Sequence, residues 1–100
     1  MNRRPTPSPV RTEGRHRWGN TVIEGRAVRF WADLRNGRVV VQLDVPEPTD
    51  VGVVVAIGPE PSRPLLLVNP QQRPWAGTTE ARAALLSAAV TYYRTVEARA

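Results

Sequence analysis

Val28-Arg29-Phe30-Trp31-Ala32-Asp33-Leu34-Arg35-Asn36-Gly37-Arg38-Val39-Val40-Val41-Gln42-Leu43-Asp44-Val45 is the stretch that decides the fold. Apolar and polar residues alternate on both sides of Asn36-Gly37. An Asn-Gly pair between two alternating runs is the strongest short-range hairpin signal, because both residues of a type I′ turn take positive φ. A two-residue loop there pairs residues whose numbers sum to 73: Leu34 with Val39, Ala32 with Val41, Phe30 with Leu43 and Val28 with Val45, all apolar. The opposite face pairs Asp33 with Val40, Trp31 with Gln42, and Arg29 with Asp44, the last an ion pair contributing roughly a few tenths of a kcal/mol. A slip by one residue would turn the apolar row into water, so pattern and turn specify the hairpin together. Gly37→Val is expected to destabilise it, since a β-branched residue resists positive φ.

Upstream, Trp18 to Leu34 is rich in β-branched and aromatic residues, with Gly19 and Gly25 as bends or bulges. Downstream, Pro46-Glu47-Pro48-Thr49-Asp50 ends the hairpin, since proline cannot donate to a ladder. Val51 to Ile57 reads as a third strand and Leu65 to Asn69 as a fourth, joined by the stiff turn Gly58 to Pro64. Both runs are almost continuously apolar. Such strands are covered on both faces, or on one face by a helix and on the other by a partner subunit. Residues 69 to 77 read as a loop pinned by Trp75. A helix follows from about Thr79 to Arg99, with Thr78 or Thr79 to cap it, Glu80 at its positive end, and Arg94 and Arg99 at its negative end. Leu85, Ala89, Tyr92 and Val96 draw one apolar stripe along it, which Leu86, Val90 and Tyr93 widen. The expected class is α+β: an antiparallel sheet of about four strands with one long C-terminal helix packed on it.

The strand leading through Asn69-Pro70-Gln71-Gln72 into a single helix resembles the arrangement in the coactivator-type single-stranded-DNA-binding family. That resemblance implies a dimer formed through the helix and strands of DNA bound on a curved sheet. This chain lacks the Lys-rich strand positions such binding needs, so the likeness is one of fold.

The chain of 100 residues is long enough for one domain. Its 41% hydrophobic and 23% charged residues are ordinary for a globular protein. With no Cys, disulfide frameworks, thiolate metal sites and cysteine nucleophiles are excluded. The net charge of +5 is unevenly placed: Arg3, Arg4, Arg11, Arg15 and Arg17 against Glu13 leave +4 in residues 1–17, and the rest is almost neutral. With Pro5, Pro7 and Pro9 and almost nothing apolar, residues 1–17 are expected to form a disordered basic arm, dispensable for folding, ahead of a single domain over 18–100. All fourteen basic residues are Arg. Guanidinium suits bidentate phosphate contacts and base stacking, although a coding bias produces the same usage.

Catalysis has little to draw on. His16 is the only imidazole and falls in the expected arm, Ser8, Ser62 and Ser87 lack a base, and no glycine-rich phosphate loop is present. No enzyme activity, metal or cofactor is expected. Trp31, with Arg29, Asp33 and Gln42 around it, either stacks a base, anchors a partner, or belongs to a helix-covered core.

The expected function is that of a small non-catalytic, nucleic-acid-associated protein. Arg3, Arg4, Arg11, Arg15 and Arg17 would contact phosphates of DNA or RNA, and Arg29 and Trp31 would contact bases. The alternative is a protein-interaction module, of adaptor, immunity or chaperone type, using the same sheet face or the helix stripe. A homodimer through Leu85, Tyr92 and Val96 is expected from the width of the stripe. With no apolar h-region and no run of bilayer length, the expected location is the cytoplasm.

Overall fold

The computed structural model describes residues 16–99, with side chains from residue 19 onward. Five antiparallel strands lie in chain order across one sheet: β1 (His16–Ile23), β2 (Arg26–Asp33), β3 (Arg38–Leu43), β4 (Asp50–Val55) and β5 (Leu65–Val68). A 3-10 turn (Pro70–Gln72), a one-turn helix α1 (Arg73–Ala76) and the long helix α2 (Thr79–Arg99) follow. The class is α+β, with five strands in place of about four.

The additional strand arises because the segment from Trp18 to Leu34 is folded in two. Glu24 at φ 51° and Gly25 at φ 79° make a two-residue turn between the paired Ile23 and Arg26. The tight positive-φ pair thus sits at Glu24-Gly25, not at Asn36-Gly37. Strand β1 also starts inside the expected arm: the backbone of His16 pairs with Asp33 and that of Arg17 with Ala32. The arm's other residues, 1–15, lie outside the described residues.

The β2–β3 register differs from the expected one. Val28 pairs with Leu43, Phe30 with Val41, Ala32 with Val39 and Asp33 with Arg38, so paired numbers sum to 71 and four residues, 34–37, form the loop. Asp33 is the cause. Its carboxylate accepts from the Asn36 backbone N–H at 3.3 Å, from Asn36 Nδ2 at 2.7 Å and from Arg38 Nε at 3.2 Å. Asn36 is held by Asp33 and does not take positive φ; Gly37 alone in this loop does, at 63°. A four-residue loop built on a type I turn, with Asp at its first position, satisfies more polar groups than a bare two-residue turn. Because the shift is two residues, every side chain keeps its face. Val28, Phe30, Ala32, Val39 and Val41 are buried as one row set. Only the partners change: Arg29 stands opposite Gln42 and not Asp44, and Trp31 opposite Val40.

Helix α2 lies against all five strands. Thr78 Oγ1 caps it, accepting from the Ala81 N–H at 3.1 Å. Ala81, Leu85, Ala89, Tyr93 and Val96 are its buried residues, spaced by three or four so that they form one stripe. Tyr93 takes the deep position expected of Tyr92, and its hydroxyl donates to the Leu34 carbonyl at 3.3 Å. Burial pushes the Tyr93 phenol up from its ordinary pKa, with the charge of Glu97 acting in the same direction and that of Arg94 against it. Tyr92 is half-buried beside Phe30, ring centroids 5.8 Å apart, and a Cβ at Gly19 would overlap its ring.

The expected loop over residues 69–77 is instead two short helical turns. Asn69 Oδ1 accepts from the Gln71 N–H at 3.1 Å, and Trp75 Nε1 donates to Gln72 Oε1 at 2.8 Å. The Trp75 ring packs on the core with the Arg26 guanidinium 4.9 Å from its centroid. The β4–β5 loop is gathered by one guanidinium: Arg94 Nη2 donates to the Gly58 carbonyl at 2.6 Å and to Glu60 at 2.9 Å, while Nη1 reaches Glu97 at 3.1 Å. The result is a two-layer slab with a smallest extent of 16 Å.

Candidate functional site

Alternation along each strand sends one set of side chains to α2 and the other to the opposite face. Register then lines up the second set across the sheet. Trp31 pairs with Val40, Val40 with Val53, and Val53 with Leu67, so one row of apolar residues crosses β2 to β5, and the backbone of Trp18 pairs with that of Trp31. Trp31, Val40 and Val53 are half-buried, and Leu67 is 49% exposed. Val55 and Leu65, paired across β4 and β5, extend the apolar area to one side, and Leu65 is 51% exposed. Among the described residues, α2 is the one long helix on the sheet, and its buried stripe faces the other side.

Polar side chains border the row on both flanks. On one flank Arg29 Nε donates to Gln42 Oε1 at 3.3 Å, and Gln42 Nε2 donates to Asp50 Oδ1 at 2.9 Å. On the other, Asp33 and Arg38 form an ion pair at 3.2 Å. With Asp44, exposed two residues beyond Gln42 on the same side, two Arg stand against three Asp, so this face carries no net positive charge among the described residues. Asp33 is 4% exposed. Burial pushes its pKa up, but the side-chain and backbone donors of Asn36 and the Arg38 guanidinium outweigh that and hold it below the usual carboxylate range.

The sequence-derived site residues are thus dispersed. Arg3, Arg4, Arg11 and Arg15 lie outside the described residues, and Arg17 is described by its backbone alone, opposite Ala32. Arg29 and Trp31 stand on the open face at adjacent rows. Leu85 and Val96 are 0% and 3% exposed, buried against their own sheet inside one chain, while Tyr92 is half-buried beside them. Val53, Leu65 and Leu67 were not singled out as site residues. Their signal was the continuous apolar run of β4 and β5, which has residues for both faces.

Among the described residues, no group of three or more His, Cys, Asp or Glu side chains is placed to hold a metal ion, and no helix is long and apolar enough to cross a membrane. No family model, curated protein or solved structure matches this chain.

Proposed function

We propose that this chain is a non-catalytic binding module that engages a protein partner through the open face of its sheet. The observation that carries this reading is the apolar row from Trp31 through Val40 and Val53 to Leu67, on a face with no net positive charge among the described residues. A contiguous, partly exposed apolar surface rimmed by satisfied polar groups is the signature of a protein interface. A phosphate backbone calls for net positive charge, whereas Arg29 is engaged with Gln42 and Arg38 with Asp33.

Nucleic-acid binding is the second reading, favoured by the charge of +4 carried in residues 1–17 and by Trp31 and Arg29 standing on the same face of β2. Hydroxyl-radical footprinting of the full chain tests the first. Leu65 and Leu67 should be protected in concentrated cell lysate relative to dilute purified protein; protection confined to the outer face of α2, or none, overturns it. Oligonucleotide titration at two salt concentrations tests the second. Low-salt binding abolished by Trp31→Ala would move the assignment to nucleic acid.

A further inference from the structure

The open face has a self-complementary arrangement. We infer that its partner is a second copy of this chain, packed sheet to sheet about a two-fold axis that runs along the Trp31–Val40–Val53–Leu67 row. This rests on the protein-partner reading and names the partner.

An axis along the row keeps each row residue opposite its own counterpart, so apolar side chains meet apolar side chains from β2 to β5. The same rotation exchanges the flanks. The Asp33–Arg38 side of one copy comes to lie over the Arg29–Gln42–Asp50 side of the other. Arg38, on β3, is then offset sideways by one strand spacing, about 4.8 Å, from Asp50 on β4 of the second copy, across a sheet separation of about 10 Å that the two side chains span together, and the contact occurs twice by symmetry. A face on which Arg29 and Arg38 are each placed to meet an acid, Asp33 or Asp50, across a two-fold is complementary to itself. It is not complementary to a polyanion.

Size agrees with this occupant. Five strands at about 4.8 Å and about six residues of each at about 3.3 Å give a footprint of about 500 Å² per copy, or about 1,000 Å² for the pair. That is at the lower bound for a specific interface, so the dimer should form in the micromolar range and dissociate on dilution. The alternative patch, the α2 stripe, is already consumed: Leu85, Ala89 and Val96 are buried within their own chain.

Sedimentation equilibrium of the full chain, over concentrations from low to high micromolar, tests the proposal. The mass should rise from 11.1 kDa toward twice that value. Leu67→Glu and Leu65→Glu, at half-exposed positions where folding tolerates a charge, should each weaken association by more than about tenfold, because the carboxylate would be buried without a partner. Asp50→Arg should weaken it more than Asp50→Asn, with the gap closing at high salt. Ser87→Glu on the outer face of α2, and Val22→Glu at a corner of the sheet, should leave it unchanged. Circular dichroism of each variant establishes that it is folded. A mass that stays at the monomer value overturns the second-copy assignment; if lysate footprinting still protects Leu65 and Leu67, the protein-partner reading stands with another partner. Association that survives both Leu variants, or that Ser87→Glu abolishes, belongs to α2, the β1 edge or residues 1–15, and overturns the proposal equally.

Discussion

Gly37 and Gly25 both hold left-handed backbone, at φ 63° and 79°, yet their surroundings differ. A Cβ on Gly37 would stand 2.8 Å from the Ile57 carbonyl oxygen, a backbone atom that cannot swing away, whereas nothing lies within 4 Å of one on Gly25. Gly25→Ala should therefore cost about 1–2 kcal/mol, the left-handed penalty alone, and Gly37→Ala about 2–4 kcal/mol, in denaturant melts of the two variants. Equal losses would show that the overlap at Gly37 relaxes freely. Asp33 carries a pH dependence whose sign follows from its environment. Its native pKa is depressed below the unfolded value of about 3.9, so between the two values the unfolded chain binds more protons and stability falls as pH falls. Asp33→Asn should be less stable than the parent at neutral pH, and the gap should shrink once pH drops through about 4 and toward the native value. A gap that is constant with pH would remove the carboxylate from this role.

At the scale of elements, the two hairpins exchanged the turns their sequences advertise. Asn36-Gly37 carries the stronger type I′ signal, but Asp33 three residues ahead offers its carboxylate to the Asn36 amide and draws the loop out to four residues. Glu24-Gly25 has the weaker signal and takes the tight turn, between the paired Ile23 and Arg26. Periodicity alone assigned the faces of β2 and β3 correctly, whereas the pairing depended on side-chain acceptors that a pattern of apolar and polar letters does not weigh. In β4 the expected single face of Val51, Val53, Val55 and Ile57 is split, because the register shift opposite Val41/Gln42 and the positive φ of Ala56 bury Val51 and Ile57 with Val54 while Val53 and Val55 face the other way. The helix was legible for the same reason as the faces: a spacing of three and four admits one buried stripe, and only the choice between adjacent Tyr92 and Tyr93 had to be settled by packing. Arg94 ties the β4–β5 loop to α2 through a backbone carbonyl, two carboxylates and the Ser62 hydroxyl. Arg94→Lys should lose most of the stability that Arg94→Met loses in chemical denaturation, since one ammonium cannot span the fork of acceptors. Full retention of stability by the lysine variant would reduce Arg94 to a point charge.

For the whole molecule, two layers mean one covered core and, among the described residues, one sheet face with no second helix on it. Leu85→Ala should cost about 2–5 kcal/mol at any protein concentration, because the core it leaves is internal to one chain. Leu67→Ala should cost far less in dilute solution and progressively more as the protein is concentrated, a dependence that thermal melts at several concentrations would reveal. The face proposed for binding was half legible in the sequence. Trp31 and Arg29 stood out by residue type, while Val40, Val53 and Leu67 are ordinary strand residues whose meaning comes from register across four pairings. Strand β5 has a further consequence. Leu65-Leu66-Leu67-Val68 is short, apolar and uncharged, the composition of a fibril-forming segment, and it is an edge strand. The Asn69 N–H bonds inward to Val51, so alternation turns the Leu66 carbonyl outward, where Arg82 of α2 donates to it at 3.2 Å, and Pro64 just before the strand has no N–H to offer. One arginine on the helix thus stands guard over the segment through which the sheet would otherwise recruit further chains without limit. Arg82→Ala should shorten the lag of amyloid-dye fluorescence while barely moving the melting temperature, and an unchanged lag would assign the protection to proline alone. On this account the edge is protected for as long as α2 stays on the sheet, because the shielding donor belongs to the helix and not to the strand.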